Sequence, residues 1–262
     1  MTSDIISSFH KAAEHANVPV GHLFEATVRR VYEQWLKPGD RAVDGGAHKG
    51  AHLIPMAKAV GKRGFVYGFE PIPDLAAGLE KRLKKEGIRH ASVCRKALSF
   101  EKGEATFRLF TNRPAYSGLE RRHSDFSDEE GGLEELQVEV TTLDRQIPFF
   151  RAISAIKLDL EGGEFHALQG AHRILTRSRP MVVFENGRQA SAKVYGYTAD
   201  DFFEYFNAVG YDVYWLSGEN FQNDDWSLQK RCWEFVALPK ERADFAGTLP
   251  GLCAEVLAGQ SS

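Results

Sequence analysis

The chain reads as an α/β protein: a seven-stranded, mostly parallel sheet with helices on both faces, preceded by a helical N-terminal cap and interrupted by a β insertion. Three features lead to this architecture. From Arg41 onward, short β-branched or aromatic runs alternate with helical stretches, the alternation that a parallel sheet with crossover helices requires. The first such run leads through a glycine-rich turn straight into a helix. The 262 residues, 43% of them hydrophobic, are enough to cover both faces of such a sheet.

Composition narrows the function. With 33 Lys+Arg against 36 Asp+Glu, the formal charge is −3, which lacks the basic field of a duplex-binding domain, so no nucleic-acid partner is expected. The 3 cysteines, Cys94, Cys232 and Cys253, are far apart and form no C-x-x-C, so neither a zinc knuckle nor a redox pair is expected and a reducing, cytoplasmic setting is. Asp4, Lys11 and Glu14 interrupt the first sixteen residues, which therefore do not read as a signal peptide. No run reaches the apolar length of a membrane span.

Residues 1–38 form the expected cap. Ile5, Ile6, Phe9 and Ala13 recur at helical spacing, as do Leu23, Val28, Val31, Tyr32, Trp35 and Leu36, before the turn Pro38-Gly39-Asp40. Residues 39–262 form the main domain. Its expected strands are Arg41–Asp44, Phe65–Glu70, Ala91–Cys94, Ile153–Leu158, Met181–Glu185, Asp212–Leu216 and Trp233–Leu238. Helices are expected over His52–Ala59, Asp74–Glu86, Glu164–Arg177 and Ala199–Val209. The alternation breaks at about residues 99–150, where Ala105–Phe110 and Leu136–Thr141 read as paired strands around a polar loop. Tyr195, Tyr197, Tyr214, Trp215 and Trp226 read chiefly as core, with stacking on a sugar ring as the alternative.

The chemistry concentrates after the first strand. Gly45, Ala47 and Gly50 fit the G-x-G-x-x-G frame of a nicotinamide site poorly. Asp44-x-Gly46-x-His48-x-Gly50 fits better: an acidic strand end followed by alternate glycines, as in motif I of S-adenosylmethionine-dependent methyltransferases. A carboxylate there suits a ligand carrying an ammonium group and would repel a pyrophosphate. Glu70, twenty residues beyond Gly50, ends the second strand, where a carboxylate accepts ribose hydroxyls in either cofactor class.

Val43-Asp44-Gly45-Gly46-Ala47-His48-Lys49-Gly50, Phe69-Glu70-Pro71, Lys96-Ala97-Leu98, Thr142-Leu143-Asp144, Ile156-Lys157-Leu158-Asp159-Leu160-Glu161-Gly162-Gly163-Glu164 and Phe184-Glu185 occur in that order. Together they resemble the FkbM family of methyltransferases, over roughly Arg41 to Glu185. The resemblance implies a class I methyltransferase (Rossmann-like) fold and methyl transfer from S-adenosylmethionine to a hydroxyl of a carbohydrate or natural-product acceptor. Carried over by position, Asp44, Gly45, Gly46, His48 and Gly50 shape the methionine pocket. Glu70 and Pro71 flank the ribose, Lys96 and Ala97 lie along the adenine edge, and Asp159 sits beside the methionine end. The chain departs from the family pattern at His48, where Asn is common, and carries an unexpected Pro55 in the following helix.

Transfer from a sulfonium to a hydroxyl needs in-line alignment and removal of one proton. Two mechanisms fit the residues. Asp159, Glu185 or His48 acts as a base without metal, or Asp159, Glu185 and Asn186 hold a Mg²⁺ that binds the acceptor hydroxyls. Glu161 and Glu164 read as early-turn acids favoured by the helix dipole. Lys157 pairs most simply with a neighbouring carboxylate. His166 and His172 match no helical metal spacing. Tyr116, Ser117, Arg121 and Asn186 are the expected acceptor contacts, with Arg113, Arg122 and His123 nearby. The competing functions are a nicotinamide-dependent oxidoreductase and a non-catalytic binding protein on the same scaffold.

Overall fold

The computed structural model describes residues 3–112, 117–120, 127, 130, 132–228 and 232–259. Two helices open the chain, α1 (Ser3–Ala16) and α2 (Val20–Trp35). Apolar residues at helical spacing face inward from both: Ile6, Phe9 and Ala13 from α1, and Leu23, Phe24, Val28, Val31 and Tyr32 from α2. Phe9 meets Phe24 edge-on at 5.4 Å, and Phe24 meets Trp233 at 5.1 Å. Both helices thus share one core with the sheet. α2 gives way to extended backbone at Leu36, ahead of Pro38.

The main sheet is built from β1 (Arg41–Gly45), β2 (Phe65–Phe69), β3 (Ala91–Cys94), β7 (Ala155–Leu158), β8 (Met181–Glu185), β9 (Tyr211–Trp215) and β10 (Glu234–Pro239). They lie in the order β3-β2-β1-β7-β8-β10-β9. All neighbours are parallel except β10, which runs antiparallel to β8 and β9. This is the class I methyltransferase order. Every residue of β7 is buried, as a strand covered on both faces demands. The chain reverses direction across the sheet between β1 and β7, and there the C-terminal strand ends open a crevice.

The helices α3 (Leu53–Val60) and α4 (Pro73–Lys85) follow β1 and β2. Pro55 sits in the first turn of α3, where its missing N–H costs little. The insertion forms a second sheet from β4 (Ala97–Leu98), β5 (Gly103–Phe110) and β6 (Leu133–Thr141), with the expected β5/β6 hairpin joined by β4 parallel to β6. Ala97, Phe107 and Val138 gather with Ile72 in a small apolar cluster of their own.

The helix expected over Glu164–Arg177 is two helices. After the short α5 (Leu143–Gln146), α6 (Glu164–Gln169) and α7 (His172–Ser178) are separated at Gly170-Ala171. A side chain at Gly170 would overlap the carbonyl of Ser99, so the chain breaks where the two loops touch. Asp144 then satisfies the exposed start of α7: its Oδ2 accepts the Arg173 N–H at 2.6 Å and its Oδ1 the Ile174 N–H at 3.0 Å. The remaining helices are α8 (Gln189–Tyr195), α9 (Ala199–Ala208), begun by a Thr198/Asp201 capping box, and α10 (Leu249–Ala258), which packs on α2. Tyr195, Tyr197, Tyr214, Trp215 and Trp226 are all buried. Among the described residues no helix is long and apolar enough to cross a membrane.

Candidate active site

The glycine turn after β1 is forced by contact. Gly46 has φ +78°, and a Cβ there would overlap the carbonyl oxygen of Asp159. The turns after β1 and β7 therefore touch backbone to backbone, and the Asp159 N–H donates to the Gly45 carbonyl at 3.0 Å. His48 has φ +44°, in the left-handed region that asparagine tolerates well among non-glycine residues. The same conformation accounts for asparagine being common at this position, and His48 preserves the turn.

Glu70 closes the next corner. Only 3% exposed, it accepts the His48 N–H on Oε2 at 2.8 Å and the Ile72 N–H on Oε1 at 2.9 Å. Burial pushes its carboxyl up to about 7, against the two amides that favour the ionised form.

A charge centre lies beneath the other side of the turn. Lys157, buried in β7, places Nζ 3.2 Å from Asp159 Oδ2. Burial opposes its charge, but Asp159, Asp44, Glu25 and Glu234 outweigh that and hold it protonated. Asp44 is fully buried and neither carboxyl oxygen has a hydrogen-bond partner among the described residues. Burial raises its pKa, and Lys157 partly offsets the rise. From α2, Glu25 bonds His52 Nε2, and His52 Nδ1 faces the Tyr32 hydroxyl at 3.2 Å. His48 is kept neutral by burial and by Lys49, and its Nε2 is without a partner among the described residues.

The loop after β7 is organised from within. Glu164 does open α6, as its position predicts, but it is fully buried, and its Oε1 accepts the Leu160 N–H at 2.7 Å and the Gly162 N–H at 3.1 Å. Burial raises its pKa to about 7. It acts as an internal brace for the turn that presents Asp159.

These elements enclose a cavity of about 490 Å³ at the C-terminal edge of β1, β2 and β7. Of the expected site residues, Gly46, His48, Glu70, Pro71, Lys96, Ala97, Ser117 and Asp159 line it. Asp44, Gly45 and Gly50 lie outside the lining as parts of the turn beneath. Ser117 Oγ accepts the Phe110 N–H at 2.9 Å, so its hydroxyl also fastens the insertion. Tyr116 and Arg121, with Arg113, Arg122 and His123, lie outside the described residues. The cavity also takes in Glu25, Ala26, Arg29, His52 and Tyr195, which no motif marks, and Lys157, which lies within the motif that ends β7 without an expected place in the site. Lys157 stands out in the sequence as a lone charge within an apolar strand, and it pairs with the neighbouring carboxylate of Asp159 as expected.

The residues present do not fit the expected Mg²⁺ site. Asn186 is buried, with Oδ1 accepting the Arg188 N–H at 2.6 Å and Nδ2 donating to the Tyr197 hydroxyl at 3.2 Å. Glu185 lies outside the cavity lining, opposite Glu234 in the β8/β10 register. Asp159 already has Lys157 as its cation. Among the described residues no group of three or more His, Cys, Asp or Glu side chains is arranged to hold a metal.

Comparison with known proteins finds similarity to methyltransferases. A Protein-L-isoaspartate O-methyltransferase from Ignicoccus hospitalis is 33% identical over 92 residues, 32% of this chain and 42% of that protein, so the match spans less than half of the relative. The crystal structure of a methyltransferase FkbM from Methylobacillus flagellatus KT superposes with a TM-score of 0.49 at 16% identity, covering 88% of this chain and 58% of that one. An rRNA methylase from Streptococcus thermophilus superposes with a TM-score of 0.43 at 14% identity, covering 80% of this chain and 91% of that one. The Methyltransferase FkbM domain matches residues 44–213, well over half of the sequence. The chain belongs to the FkbM methyltransferase family.

Proposed function

We propose that the enzyme methylates a hydroxyl oxygen of a small-molecule or glycan acceptor, with residues 1–38 acting as a cap on the catalytic domain formed by residues 39–262. The observation that carries this reading is one cavity with two unlike ends. Glu70, Pro71, Lys96 and Ala97 suit a nucleoside at one end, and Gly46, Lys157 and Asp159 form a charged floor at the other.

A sugar-like acceptor is supported by a second cavity, of about 440 Å³, that shares Tyr195 and Leu119 with the first. Phe100, half exposed, meets His166 at 4.8 Å, and His166 meets Tyr195 at 5.4 Å. Glu101, Thr106, Arg108 and Glu120 surround these rings with polar groups. Aromatic faces bordered by hydrogen-bonding side chains suit a polyhydroxylated ring.

S-adenosylmethionine, when bound, supplies an activated methyl group on a sulfonium. The cavity would hold the acceptor hydroxyl in line with that methyl group, and the hydroxyl proton would pass to the protein. Asp159 is the base favoured by position, oriented through Oδ2 by Lys157. His48, which lines the cavity and whose buried Nε2 has no partner among the described residues, is the second candidate.

The test is transfer of labelled methyl to sugars and polyols in the presence of a chelator, followed by mild alkali. Alkali-stable label on a sugar is expected. Alkali-labile label on a carboxylate, or label on RNA, would overturn the acceptor class.

A further inference from the structure

Glu25 stands apart from every motif of the family, yet it reaches the cavity. α2 carries it to the lining beside His52 and Lys157, with its side chain still 40% exposed. It is also held in place. His52 is 8% exposed and bonds Glu25 through Nε2, while the wholly buried Tyr32 hydroxyl stands 3.2 Å from Nδ1. With both ring nitrogens engaged, His52 has no free atom with which to take a proton from an acceptor. A buried tyrosine–histidine pair that fixes one carboxylate at the mouth of a cavity is a positioning device.

The electrostatics at that end point to a cation. Asp44, Asp159 and Glu25 all act on the buried cation Lys157, together with Glu234. Asp44 is wholly buried beneath the glycine turn, and both of its oxygens are without partners among the described residues. Burial acts to raise the pKa of Glu25, but the His52 bond and the nearby Lys157 prevail and lower it. A readily ionised carboxylate is a poor base and a good partner for an ammonium group.

We propose that Glu25, oriented by His52 and Tyr32, binds the α-ammonium group of the cofactor's methionine end, so that α2 completes the cofactor site. This rests on the S-adenosylmethionine reading of the cavity. It gives the N-terminal helices a chemical role: docked α2 supplies the contact that separates the whole cofactor from a bare nucleoside.

The test compares two ligands by calorimetry: S-adenosylhomocysteine, which carries the amino-acid end, and 5′-methylthioadenosine, which lacks it. Glu25→Gln is expected to weaken S-adenosylhomocysteine binding about tenfold, ~1.4 kcal/mol, and to leave methylthioadenosine binding within about twofold of the wild type. His52→Ala is expected to move the ratio of the two affinities the same way by a smaller factor. Because methylthioadenosine uses the same nucleoside end, its retained binding reports an intact pocket in each variant. Equal S-adenosylhomocysteine affinity in Glu25→Gln and wild type overturns the assignment, as does a parallel loss of both ligands. Failure of the wild type to bind either ligand overturns instead the cofactor reading beneath it.

Discussion

The backbone N–H of His48 donates to the buried carboxylate of Glu70 at 2.8 Å, tying the glycine turn after β1 to the end of β2. Through this bond the residue proposed to receive the ribose also sets the shape of the turn proposed to receive the methionine end. In the free protein, burial holds the Glu70 carboxyl at about 7. Ribose hydroxyls donate hydrogen bonds and favour the ionised form, so binding should release a proton below that pH. S-adenosylhomocysteine affinity is expected to rise as pH increases toward about 7 and to level off above it. Calorimetry in buffers of different ionisation enthalpy should show the released proton, and Glu70→Gln should abolish it.

Glu164 gives a stability prediction with a definite sign. Its carboxyl moves from an ordinary 4.5 to about 7 on folding, so the folded state holds the proton more tightly. Its contribution is fully present below about 4.5 and is lost as pH rises to about 7, at most ~3 kcal/mol. Glu164→Gln keeps an oxygen for the Leu160 and Gly162 amides and should flatten that slope in urea denaturation. Glu164→Ala leaves both amides without a partner and should cost about 2 kcal/mol or more.

Two glycines in left-handed backbone separate strain from collision. Gly61 has φ +62° with open space where a Cβ would stand, whereas at Gly46 that atom would overlap the Asp159 carbonyl. Gly61→Ala is expected to cost about 1–3 kcal/mol and leave cofactor binding intact. Gly46→Ala should push the β1 and β7 turns apart and abolish S-adenosylhomocysteine binding, at a cost of about 3 kcal/mol or more. Paired melting and titration experiments check both.

Asp159→Asn retains the shape of the side chain and removes its capacity to accept a proton. If Asp159 is the base, turnover should fall about a hundredfold or more while S-adenosylhomocysteine affinity changes far less. Chelation should leave turnover unchanged, because Asn186 is committed to Arg188 and Tyr197. Unchanged turnover in Asp159→Asn would move the assignment to His48.

Much of this was legible in the sequence because the physics is local. β1, β3 and β8 are apolar runs ended by punctuation, and their bounds fall within a residue of expectation. Gly46, Glu70 and Asp159 are marked by spacing within motifs. The break at Gly170 was not legible, since it depends on the approach of Ser99 from a distant loop. Glu25 was not legible either. On α2 it looks like one more polar residue of a solvent face, and only the packing of α2 against α3 brings it to His52. Lys157 is the intermediate case: its oddity within an apolar strand is visible, but its carboxylate partners come from several elements.

Calorimetric titration of the purified wild-type chain with S-adenosylhomocysteine, run beside NADH, decides whether the cavity is a methyl-donor site. Saturable micromolar binding of S-adenosylhomocysteine with no heat from NADH is the expected result. Binding of NADH, or of neither ligand, would contradict the roles assigned to Gly46, Glu70 and Asp159 together.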